Sequence, residues 1–144
     1  MKNDTIRARD VLQAGQHTCV LCRGNTVLTD DRRGVKPLLE LLGRDLAGFC
    51  AADKVVGKAA ALLYRLLGIS EIYAGVISEP AISVLQTGGI SVFYDQKVPA
   101  IRNRTDTGFC PMETAVWDVE DPALAPDILR TALAKLANST PGSL

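Results

Sequence analysis

Apolar positions along this chain come in short runs, and their spacing switches between the period of a helix and that of a strand. From Asp4 to Ala14, Ile6, Val11 and Leu12 supply one apolar side, and Gly15 closes a first helix. HTCVLC and TVLTD are β-like runs flanking Arg23-Gly24-Asn25, a polar tripeptide with the glycine of a hairpin turn. Lys36 to Leu42 reads as a short helix, with Pro37 near its start where proline is tolerated. The dominant stretch is Leu46 to Ile69, read as an apolar lead-in followed by a helix. Val55, Val56, Ala59, Ala60, Leu62, Leu63, Leu66 and Leu67 fall three and four apart, leaving Lys54, Lys58 and Arg65 as a narrow polar stripe. Cys50 and Asp53 stand at the predicted start, and Gly68 stops the helix.

After it, the run Glu71 to Ser78 predicts a third strand, buried by its apolar composition. Glu79-Pro80 opens a helix that ends at Gly88-Gly89. The next run, ISVFYDQKVPAI, is a strand whose far end is irregular or at an edge, because Pro99 cannot donate to a ladder. Pro111 begins a further helix after the polar segment RNRTDTGF, and Asp127 caps a last one, ILRTALAKLA. A hairpin followed by helices alternating with strands predicts a three-layer α/β/α sandwich with a mixed sheet, in one domain over 1–137 with a disordered tail over 138–144.

The 144 residues suit a single domain, and with nearly half of them hydrophobic they can fill a core. Acidic and basic residues number 16 each, so no global field draws the chain to nucleic acid or an anionic membrane. No apolar run reaches the roughly 20 residues of a membrane span, and MKNDTIRARDVL lacks a signal-peptide core. The expectation is a cytoplasmic protein with four free thiols.

Three constellations could carry chemistry. In RNRTDTGFCPME, Arg102 and Arg104 flank Asn103, and two guanidinium forks beside the helix start near Cys110 could grip a carboxylate or phosphate. The plainer alternative is a capped loop, with Asp106 paired to one arginine and Glu113 completing the first turn. Asp53, Lys54 and Lys58 form the second set, with the lysines one helical turn apart. They could bind a polar ligand or supply a base or nucleophile, against the plainer reading of a cap and two solvent-reaching lysines. Among the cysteines, Cys19 and Cys22 would point to opposite faces of a strand, which spoils shared metal ligation and leaves them as small core residues. Cys50 and Cys110 both precede predicted helix starts, where a thiolate is stabilised.

Two local patterns resemble the cytidine deaminase-like fold. There a His/Cys-Ala-Glu motif opens the first central helix and Pro-Cys-x-x-Cys opens the next, together holding a zinc ion that activates water. Here the first location reads Cys50-Ala51-Ala52-Asp53, and the second reads Ser78-Glu79-Pro80-Ala81-Ile82-Ser83-Val84. Ala81 and Val84 then stand where two thiolates would be needed, and the first motif supplies either its ligand or its proton shuttle, not both. More closely, ADKVVGKAAALL, YAGVIS and the distinctive string NRTDTGFCPME are similar to a prokaryotic family of unknown function that has this fold without the zinc site. That resemblance implies a fold and a pocket location but no established reaction.

The expectation is therefore a zinc-independent protein, without cofactor or metal ligands, that binds a small anionic or nucleotide-like molecule. Cys50, Lys58, Ser78, Arg102, Asn103, Arg104 and Glu113 form the ligand-binding set. A zinc-independent enzyme using Asp53, Lys54 and Cys110 or Cys50 is the first alternative. An oligomeric scaffold or regulatory subunit, with self-association through apolar helices, is the second.

Overall fold

The computed structural model describes residues 1–102, 108 and 110–138. Its elements are α1 (Asn3–Ala14), β1 (Cys19–Arg23), β2 (Thr26–Asp30), α2 (Lys36–Leu41), β3 (Cys50–Val56), α3 (Lys58–Leu67), β4 (Glu71–Ser78), α4 (Glu79–Thr87), β5 (Ser91–Val98), α5 (Pro111–Ala115), a 3₁₀ turn (Pro122–Leu124) and α6 (Ala125–Ala137). The strands form one mixed sheet in the order β2-β1-β3-β4-β5. β1 pairs antiparallel with β2 and β3, whereas β3, β4 and β5 run parallel. The chain has an α/β fold.

The largest departure from the sequence pattern lies in the central stretch. Residues 50–56 are a strand in the middle of the sheet, and the helix starts only at Lys58. Val55 and Val56, which fit a helical face by spacing, are instead strand neighbours on opposite sides, one 48% exposed and the other fully buried. A short apolar run cannot be told from a helix by period alone, and here Gly57 separates the two states. Two long ladders, to β1 and β4, override the helical preference of Ala51 and Ala52. The small side chains let layers approach β3 closely: Ala51 lies in one core cluster and Ala52 in the other.

Alternation along β1 divides these clusters between the two faces of the sheet. Cys19 and Leu21 join the large one with α3 and its neighbours, whereas Val20 and Cys22 join the small one beneath α1. The opposite orientations expected for Cys19 and Cys22 are thus observed. In α1 the buried residues are Thr5, Ala8 and Leu12, while Ile6 and Val11 are only half-buried. α6 begins two residues before Asp127, which sits within its first turn and is not its cap.

β3 and β4 share an irregularity that shapes the site. Asp53 pairs with Ala74 and Val55 with Val76, but the inward side shifts by one residue, so that Val56 and Ile77 take over from Ala51 and Ala74. Gly75 lies so close to β3 that an added Cβ would stand 2.8 Å from the Lys54 carbonyl oxygen. A kinked strand presents an amide off the ladder, and Asp53 Oδ1 accepts the Val55 N–H at 3.2 Å. Among the described residues no helix is long and apolar enough to cross a membrane.

Candidate functional site

α3 and α4 start at the carboxyl ends of the adjacent strands β3 and β4, where ligands of open α/β sheets gather. α3 has no side-chain cap of its own, because its N-cap residue is Gly57. Its amides are met by Glu113 from α5: Lys58 N–H donates to Oε1 at 2.6 Å and Ala59 N–H to Oε2 at 2.8 Å. Gly57 makes room for this carboxylate, since an added Cβ would collide with Glu113 Oε1. Burial pushes the Glu113 carboxyl above its ordinary range, opposed by the two amides and by the charge of Lys58. The arrangement is an anion seat at a helix start, held by a carboxylate tethered to the same chain.

Lys58 completes the clasp. It is buried, and its Nζ donates to the Trp117 carbonyl just beyond α5 at 2.8 Å, with Glu120 Oε1 at 3.7 Å. The lysine expected to reach solvent or substrate thus ties α5 to α3 from the other side. At the neighbouring helix, Ser78 is fully buried and its Oγ accepts the Ala81 N–H at 3.3 Å, so it is the cap of α4. Ala81 and Val84 are buried in the large core cluster.

A second set lies between β3 and α3. Tyr64 is the one aromatic residue on α3, and its hydroxyl donates to Asp53 Oδ2 at 2.7 Å. Cys19 Sγ lies 3.2 Å from the same hydroxyl. With Tyr64 donating to the carboxylate, the thiol is the donor to the phenol oxygen, and three titratable groups form one directed chain. Burial raises all three: Asp53 to about 6, Tyr64 well above its usual value, and Cys19 likewise, with the Asp53 charge adding to the last two. Sequence reasoning had Asp53 and missed both partners. The available signal was a tyrosine on an otherwise apolar helix, whose buried hydroxyl requires a polar partner.

The other expected site residues separate. Lys54 is exposed on β3, its N–H donating to Thr18, and shares no helical face with Lys58. Cys50 opens β3 at the amino end of the parallel strands, facing Cys22 across the ladder, with Ser70 Oγ at 3.5 Å. Cys110 is the N-cap of α5, near the opposite end, so the two thiols form no pair. Arg102 is exposed at an isolated bridge. Asn103 and Arg104, like the tail beyond Asn138, lie outside the described residues. Glu113, the last residue of the string NRTDTGFCPME, meets the start of α3 at Lys58 and Ala59.

The donors fit a zinc ion poorly. The start of α3 reads Gly57-Lys58-Ala59, the start of α4 carries aliphatic side chains at Ala81 and Val84, and the nearby carboxylate is engaged by amides. Cavities among the described residues adjoin these elements. One, of about 310 Å³, opens between the β1–β2 hairpin and α2, and another is an apolar groove of about 650 Å³ between α5 and α6.

The family model described as TM1506, domain of unknown function (DUF1893), matches residues 7–133, and the chain belongs to that family. Its structure is similar to that of a DUF1893 family protein (TM1506) from Thermotoga maritima, with a TM-score of 0.80 and 29% identity, covering 94% of this chain and 92% of that one. No curated protein matches the chain.

Proposed function

For this member of a family of unknown function, we propose a protein that binds a small anionic or nucleotide-like metabolite, without zinc, on a scaffold of the cytidine deaminase kind. The observation that carries this reading is the Glu113 carboxylate across the Lys58 and Ala59 amides. A helix start that receives an anion from its own chain has the donors to receive one from solution. The tether is an α-helix of five residues, Pro111–Ala115, so few helical hydrogen bonds hold it in place. An incoming phosphate or carboxylate takes the seat as Glu113 swings out, and the exposed Arg102 stands on the same segment. The enzymatic alternative has less support, because the Asp53 carboxylate is buried and engaged by Tyr64 while Lys54 is exposed on β3.

The test is calorimetric titration of the wild type and Glu113→Gln with inorganic phosphate, a nucleoside monophosphate and succinate. At least one anion should bind once per chain, and about tenfold more tightly to the variant, in which the tethered competitor has lost its charge. If neither protein binds any of the three, or both bind with equal affinity, Glu113 is a cap and the reading fails.

A further inference from the structure

The cavity between the hairpin and α2 has a lining that the proposal above does not use. Its inner wall is apolar, with Leu21 from β1, Leu28 from β2 and Pro37 and Leu41 from α2, and Cys19 forms part of the floor. This thiol is held neutral by burial and faces its hydrogen bond toward Tyr64. The rim is charged, and its charges are unequally engaged. Arg32 is saturated: it donates to both oxygens of Asp30, at 3.0 and 2.8 Å, and to both oxygens of Glu40, at 3.0 and 2.7 Å. That bracing holds Asp30 and Glu40 below their ordinary pKa values, with Lys36 adding to the field at Glu40. Arg44, also on the rim, is exposed and has no side-chain partner among the described residues. Arg32 is thus committed to the two rim carboxylates, and the uncommitted guanidinium fork on the rim is that of Arg44.

We infer that this cavity binds a small amphipathic carboxylate, with its apolar body against Leu21, Leu28, Leu41 and the Cys19 thiol and its head on Arg44. At roughly 30 Å³ for each water-sized group, a space of about 310 Å³ holds about ten heavy atoms. A cation is disfavoured because both carboxylates already face Arg32. A neutral molecule of the same length would leave the Arg44 fork unused.

The probe is octanoate, compared with octanol and octylamine in titrations of the whole protein. Octanoate should bind once per chain, octanol at least tenfold more weakly, and octylamine more weakly still. Arg44→Gln, at an exposed position, should lower octanoate affinity about two- to fivefold without changing the far-ultraviolet spectrum. Preference for octylamine, unchanged affinity in the variant, or no binding of octanoate would each overturn the assignment.

Discussion

The starts of α3 and α4 lie side by side at the ends of parallel strands, yet they are closed in opposite ways. α4 is capped by Ser78, the residue next to its first turn, through one neutral hydrogen bond. α3 begins after a glycine and relies on a charged group 55 residues further along the chain. Tyr64 adds a second long-range link, anchoring the body of α3 to Asp53 in the sheet. The local cap forms whenever the helix does, and so contributes a modest, steady stabilisation. The distant one forms only in the folded protein, couples α5 to α3 and carries the consequences of burying a carboxylate. A helix start secured from afar can also be released, which is why the proposed ligand seat is at α3 and not at α4.

The comparison breaks most severely at Glu113. Glu113→Ala leaves two buried amides without an acceptor and should lower stability by roughly 2–5 kcal/mol in urea unfolding. Gly57→Ala alone should cost about 1–3 kcal/mol, because the new methyl group meets the carboxylate. The two losses should be far from additive, since the clash requires both groups. Additive losses would mean that Gly57 matters for another reason.

Next in size is the pH response of the link through Asp53. The folded carboxyl, raised from 3.8 to about 6, holds its proton more tightly than the unfolded one, so ionisation opposes folding. The resulting cost is absent below about pH 4, grows as pH rises toward about 6 and is complete above it, reaching about 3 kcal/mol. Asp53→Asn should flatten stability between pH 4 and 6, leaving the slope due to Glu113, whose shift has the same sign. Asp30 and Glu40, lowered by Arg32, act in the opposite direction at lower pH. An unchanged profile in Asp53→Asn would show that Asp53 does not titrate in this window. The smallest expected effect is at α4, where Ser78→Ala should cost about 1 kcal/mol with no pH dependence between 4 and 8. A loss as large as that of Glu113→Ala would erase the distinction between the two helix starts.

Local chemistry was sufficient for much of the fold. The hairpin around Gly24, the helix opened by Glu79-Pro80, the C-cap at Gly68 and the strand Glu71–Ser78 depend on neighbours within a few residues, and the sequence alone determined them. Pro99 likewise marked the far end of β5 as edge-like, and β5 is an outer strand of the sheet. The identity of residues 50–56 depended on partners instead. CAADKVV has no strong intrinsic preference for a strand, and it becomes one because β1 and β4 offer ladders on both sides. The same dependence separated the lysines, moved Cys50 away from any helix start and turned Asp53 from a presumed cap into the acceptor for a kinked strand. From the sequence, Glu113 could be read only as part of its own first turn or as one of several ligand-binding residues. Tertiary structure decided that it serves the start of α3, because a cap supplied from 55 residues away leaves no signal in local spacing.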